Sequence, residues 1–120
     1  MNKNIYIAGK ITGSENYKEI FRDAEIDLSE RGFIPMNPAK LNSGFEHAEY
    51  MHICYAMIDI CDRVYLLKDW QESKGAVMEY KYAMKNHKDI IREEEKTKNK
   101  YYSIEREKAI LEYLGCKEEW

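Results

Sequence analysis

Glu79 sits in the stretch "SKGAVMEYKYAM", residues 73–84, among apolar residues that recur at three- and four-residue steps. Ala76, Val77, Tyr80, Ala83 and Met84 form the expected buried stripe of a helix, and Glu79 lies at its edge beside Ala76 and Ala83. Small neighbours leave room around a carboxylate. A carboxylate with room beside it can serve as a nucleophile or move a proton. The plainer alternative is a solvated glutamate on an amphipathic helix.

Three loops hold most of the remaining unusual chemistry. "GKITGS", residues 9–14, sets Gly9 and Gly13 around Lys10 and Thr12 just before a helix pattern. Backbone N–H groups, a lysine charge and a hydroxyl there can face an anion. The loop is neither a dinucleotide fingerprint nor a P-loop, and an ordinary glycine turn accounts for it equally well. "NPAK", residues 37–40, presents Asn37. "KDWQESKG", residues 68–75, supplies Asp69, Trp70, Ser73 and Gly75. Ser73 reads as a helix N-cap whose hydroxyl and following N–H groups offer a second anion seat. Trp70 can stack on a flat ring or simply cover the edge of the core.

Positioning these residues is the task of an alternating set of elements. "NIYIAG" (4–9), "FIPMNP" (33–38), "RVYLL" (63–67) and "DIIRE" (89–93) read as short strands. Helix patterns run between them. Residues 14–32 place Tyr17, Ile20, Phe21, Ala24 and Leu28 on one face, with Gly32 as stop. Residues 49–62 are apolar on most sides, which predicts a well-buried helix, and residues 73–87 form the third. This alternation predicts an α/β fold: a doubly wound parallel sheet of about four strands, flavodoxin-like or Rossmann-like, in a single domain. Residues 1–92 form its expected core. Residues 93–120 are expected to add a charged linker ("EEEKTKNK") and a C-terminal helix packed on the same domain. In such sheets ligands bind beyond the carboxyl ends of the strands, so the three loops and Glu79 should converge on one crevice.

Bulk properties narrow the function classes. With 120 residues there is enough chain for one core. A net charge of −3 gives no basis for binding a nucleic-acid polymer. No apolar run is long enough to span a bilayer, and "MNKNIYIAG" enters a strand directly, without a signal-peptide pattern. Cys54, Cys61 and Cys116 are odd in number and lack metal-type spacing, as expected of reduced thiols in the cytoplasm. His47, His52 and His87 show no ligand spacing, so no metal is expected.

The motifs "IYIAGKITG", "NPA", "CDRVYLL" and "SKGAVMEYKYA", in that order over residues 5–91, resemble the nucleoside 2-deoxyribosyltransferase superfamily. The resemblance is greatest to its small, often phage-encoded branch, and extends to the 2′-deoxynucleoside 5′-monophosphate N-hydrolases. It implies a flavodoxin-like fold and a glutamate nucleophile, matched by Glu79, that attacks the anomeric carbon of a (deoxy)ribose. Water or a second base would then take the sugar. Tyr6 matches a strand-one tyrosine that holds or tunes the glutamate. Ser73 matches a serine that the monophosphate hydrolases direct at the 5′-phosphate, which with Lys10 and Thr12 favours a nucleotide ligand. The resemblance further implies a homodimer or higher homo-oligomer and no cofactor.

One departure stands out. Better-known members carry an aspartate about two turns before strand three, where it assists the leaving base, and Cys54 occupies that place here. Asp59 lies roughly 140° away around the helix and is no substitute. Asp69 or a solvent proton is left for the role. The expectation is therefore an enzyme that cleaves or exchanges an N-glycosidic bond of a nucleotide or nucleoside. The alternatives are a nucleotide-binding protein without turnover and an interaction module on a stable scaffold.

Overall fold

The computed structural model describes residues 2–93 together with Ile110 and Glu112. Four strands, β1 (Asn4–Ala8), β2 (Ile34–Met36), β3 (Arg63–Leu66) and β4 (Asp89–Arg92), alternate with helices α1 (Tyr17–Glu30), α2 (His47–Asp59) and α3 (Lys74–Lys85). The sheet order is β2-β1-β3-β4 and every pairing is parallel. This is a flavodoxin-like arrangement, as expected from the alternation of elements. Pro35 pairs with Ile5 on β2, an edge strand, where its missing N–H leaves no ladder bond unmade on the open side.

β1 divides the molecule. Ile5 and Ile7 point to the face covered by α1, where Phe21, Ala24, Leu28, Tyr65 and Leu67 complete an apolar cluster. Tyr6 and Ala8 point to the opposite face, into a cluster with Cys54 and Ile58 of α2 and Ala76, Tyr80, Ala83 and Met84 of α3. This is the two-residue period of a strand buried on both sides. Ile110 also packs against the second cluster. The expected charged linker and the rest of the C-terminal helix lie outside the described residues.

Local signals set the ends of the helices. α1 closes in a Schellman motif: Phe33 N–H donates to Leu28 O at 3.0 Å, Gly32 N–H to Ser29 O at 3.0 Å, and Gly32 takes φ +92°. α3 starts at Ser73, whose Oγ accepts from Ala76 N–H at 3.1 Å. α2 begins at His47, two residues earlier than its apolar pattern suggests, because Glu46 and Glu49 form a capping box. α2 is also less enclosed than its composition predicts. Only Met51, Cys54 and Ile58 are buried, since one side packs on the sheet and α3 while His52, Ala56 and Asp59 face solvent.

Candidate active site

From β1 the chain moves to β2 on one side and later to β3 on the other, so the carboxyl ends of β1 and β3 flank the point where strand order reverses. The strands approach closely there. A Cβ on Gly9 would stand 2.5 Å from Leu67 Cδ1 and 3.0 Å from its Cβ, so a larger residue there would have to displace the Leu67 side chain. Lys10 N–H donates to Asp69 Oδ1 at 3.2 Å and Lys10 Nζ donates to Glu72 at 3.1 Å, tying the two loops together.

A cleft of about 300 Å³ opens beside this junction. Gly9, Ile11 and Thr12 contribute from the β1 loop, Pro38 and Ala39 from the β2 loop, and Ser73, Gly75, Ala76 and Glu79 from the start of α3. Tyr17, Leu41 and Ser43 add to the rim, and α2 forms the facing wall with His47, Tyr50, Met51 and Cys54. These four follow the i, i+3, i+4, i+7 spacing of one helix face.

Among the described residues Glu79 is the sole carboxylate of this wall, and it is 7% exposed. Tyr6 Oη, fully buried, donates to Glu79 Oε2 at 2.7 Å. Cys54 is buried in the same cluster as Tyr6 and lines the same cleft as Glu79. Burial pushes the Glu79 carboxyl up to about 7, while the hydrogen bond from Tyr6 acts to lower it. Burial, and next the charge of Glu79, push the Cys54 thiol up to about 12, so it remains protonated at neutral pH. Tyr6 is held well above its ordinary value by burial first and then by Glu79. Tyr6 is therefore the donor to Glu79, and burial raises all three groups above their ordinary values.

Residues 3–92 match a family described as a domain of unknown function, DUF4406. The chain belongs to that family. Among solved structures, this DUF4406 chain is similar to a 2-desoxiribosyltransferase from Leishmania mexicana, with a TM-score of 0.60 and 22% identity. The likeness covers 75% of this chain and 63% of that one, so the chain spans less than two thirds of that protein's length. At this identity the likeness is one of fold. No curated protein matches.

Of the residues singled out in the DUF4406 sequence, Gly9, Thr12, Ser73, Gly75 and Glu79 line the cleft, and Tyr6 stands behind Glu79. Five others do not reach its wall. Lys10 is turned to Glu72 and Asp69 accepts from the Lys10 backbone, so both fasten loops. Trp70 is buried against Tyr80 at a ring-centroid distance of 4.7 Å and belongs to the core, not to a stacking platform. The Asn37 side chain caps the turn at residues 38–40 by accepting from Ala39 N–H at 2.8 Å, and it donates to Glu25. Gly13 takes φ +83° and shapes the turn after Thr12. The residues missed by sequence reasoning are those of α2, chiefly His47, Tyr50 and Met51. Their shared helix face was a usable signal, obscured by its mixture of polar and apolar types.

Among the described residues no group of three or more His, Cys, Asp or Glu is placed to hold a metal ion. Likewise, no described helix is long and apolar enough to cross a membrane.

Proposed function

We propose that this protein cleaves or exchanges the N-glycosidic bond of a nucleoside or nucleotide. The observation that carries the reading is the buried Glu79 carboxylate, held by Tyr6 in the wall of a cleft at the strand-order reversal. The fold shared with a 2-desoxiribosyltransferase adds support. In the proposed step a Glu79 oxygen bonds to the anomeric carbon as the carbon–nitrogen bond breaks, and the electron pair leaves with the base. Water, or the nitrogen of a second base, then attacks the sugar ester and releases Glu79. Tyr6 offsets the developing and departing charge on the carboxylate. This is the logic of retaining glycosidases, carried by one carboxylate instead of two.

Among the described residues no second carboxylate lines the cleft to meet the leaving base. Bases stable as anions, or protonated by solvent, therefore suit the site best. Ser73 and the first N–H groups of α3 are the natural seat for a 5′-hydroxyl or 5′-phosphate. Lys10, engaged by Glu72, gives the phosphate less support than its place in the sequence implies.

The test is release of free base from a panel of ribo- and deoxyribonucleosides and their 5′-monophosphates, read by chromatography. Glu79→Gln is the control. Release that vanishes in the variant supports the reading, and normal release from Glu79→Gln overturns it. Binding without any release would favour the second reading, a nucleotide-binding protein without turnover. The thiol of Cys54, standing where a proton donor for the base is expected, is the observation behind that reading.

A further inference from the structure

Among the described residues, His47 is the one side chain lining the cleft that can carry a positive charge. It opens α2 and is exposed, and among the described residues its ring has no hydrogen-bond or ion-pair partner. Lys10, by contrast, is engaged by Glu72.

Gly75 shows where that ring stands. A Cβ on Gly75 would lie 3.8 Å from His47 Cε1, 3.8 Å from Ser73 Oγ and 3.7 Å from Met51 Sδ. The imidazole of α2 and the hydroxyl that caps α3 therefore flank one small gap in the cleft wall. The backbone does not call for glycine here, since Gly75 takes no positive φ and the added carbon would make ordinary contacts. Glycine is also a poorer helix former than alanine. What the missing side chain does is keep the gap between His47 and Ser73 open. Ser73 Oγ accepts from Ala76 N–H at 3.1 Å, which leaves its hydroxyl hydrogen to donate. A group in the gap meets that hydroxyl on one side and a ring that can donate and carry charge on the other. This pair suits anionic oxygens.

The gap also has a fixed relation to Glu79. Gly75 precedes Glu79 by four residues of α3, about one turn or ~6 Å along the axis. A phosphate on the 5′-oxygen of a pentose stands about one sugar ring away from the anomeric carbon. With that carbon at Glu79, the phosphate falls at the gap. A free 5′-hydroxyl offers only a single uncharged oxygen to the same pair.

We propose that His47 is a specificity-determining residue, pairing as imidazolium with a 5′-phosphate seated between it and Ser73, so that the cleft takes nucleoside 5′-monophosphates in preference to nucleosides. The ligand class rests on the function proposed above, but the test reads binding and needs no turnover.

The other titratable groups facing this space are Tyr17 of α1, Tyr50 and Cys54 of α2 and Glu79 of α3. Glu46 and Glu49 flank His47 within the capping box, and Lys74 is exposed beside Gly75 without lining the cleft. Histidine is the side-chain type whose charge changes near neutrality, and the Glu79 carboxyl, raised to about 7, changes in the same range. The measurement is therefore made in Glu79→Gln, which removes that second titration and leaves every ligand intact.

The experiment is isothermal titration of nucleosides and of their 5′-monophosphates, at pH 6 and pH 8. At pH 6 each monophosphate should bind about tenfold more tightly than its nucleoside. Adding His47→Gln should weaken the monophosphate by about that factor and change the nucleoside by less than about twofold. With His47 present the preference should fall from pH 6 to pH 8. The ligand's own phosphate gains charge over this range, so a seat built of hydroxyl and N–H groups alone would hold or increase the preference. His47→Arg should keep the preference at pH 8, and Lys74→Met should leave its pH dependence unchanged. Gly75→Ala, which fills the gap, should weaken monophosphates more than nucleosides.

Equal losses for both ligand classes in His47→Gln, an unchanged preference, or no monophosphate binding at millimolar concentration overturns the proposal. Should His47→Gln fail to fold, His47→Arg decides: a preference kept at pH 8 supports the pairing, and one that falls as it does with histidine overturns it. A silent base-release panel beside a His47-dependent preference removes the function and leaves this inference standing. Glu79-dependent release beside a preference that ignores His47 does the reverse.

Discussion

The two faces of the sheet are built from the same four strands and do different work. Under α1, the cluster of Ile5, Ile7, Phe21, Leu28 and Tyr65 is apolar, apart from the tyrosine hydroxyl, and reaches the cleft only at its rim, through Ile11, Tyr17 and Ala39. Under α2 and α3, the neighbouring residues of the same strand, Tyr6 and Ala8, meet a thiol, a carboxylate and an open cleft. One residue along β1 separates a face that only stabilises from one that holds the proposed site. A buried carboxyl raised to about 7 opposes folding when it ionises. The α1 face helps to make that tolerable, because its cluster supplies mainly apolar burial.

The largest contrast should come from one substitution on each face. Glu79→Gln is expected to lower kcat by at least about a thousandfold while the protein remains folded. Leu28→Ala, at a fully buried position on the inner face of α1, should destabilise by about 2–5 kcal/mol and leave kcat per folded molecule unchanged. Denaturant unfolding and steady-state kinetics on both variants check this. A Leu28→Ala enzyme with lost kcat would break the division between the faces.

The second effect is a pH dependence of stability. The folded carboxyl of Glu79 is raised from 4.5 to about 7, so below 4.5 both folded and unfolded chains hold the proton. Between 4.5 and about 7 the folded chain holds it and the unfolded chain does not, and stability falls as pH rises through that window. The full effect is on the order of 3 kcal/mol. Glu79→Gln removes it, so the stability difference between variant and wild type should shift in favour of the variant by up to that amount from low to high pH. Thermal unfolding across the window measures this. A difference independent of pH would place the Glu79 carboxyl at an ordinary value.

Much of this organisation is legible in the sequence, and the failures have physical reasons. The alternation in "NIYIA" and the spacing of Phe21, Ala24 and Leu28 are periodic, and periodic patterns report the side of an element that faces the core. They place β1, α1 and the overall fold. Glu79 was legible as an acid beside small residues, but its depth was not, since the helical wheel puts it at the margin of the stripe. Only the position of α2 across from it closes the site. Lys10, Asp69 and Trp70 lie in loops, where spacing says nothing about direction. The chain uses them to fasten the loops and fill the core edge, with Lys10 bonded to Glu72 and Trp70 packed on Tyr80.

Smaller effects sharpen the same comparison. Tyr6→Phe keeps the ring in the core but removes the donor to Glu79 Oε2. The Glu79 midpoint should rise, and kcat/KM near neutral pH should fall by about tenfold, recovering at higher pH. A loss that persists at high pH would assign Tyr6 a part in the chemistry itself. Lys10→Met is expected to change least. Its ammonium is partly exposed and paired with the more exposed Glu72, so stability should move by less than about 1 kcal/mol. KM for a 5′-monophosphate should change less than about twofold, whereas Ser73→Ala should raise it several-fold. A large KM effect in Lys10→Met would mean that the lysine leaves Glu72 for the ligand.

The central claim is that Glu79 forms a bond to the sugar. The most direct measurement is to quench the protein in acid during turnover of the best substrate from the panel, digest it, and weigh the peptide containing Glu79. The account predicts a pentosyl mass increment on that peptide, absent in Glu79→Gln and lost when water or a second base is given time to react. Continued base release with the increment on another residue, or with none on any peptide under conditions that slow release of the sugar, would contradict it.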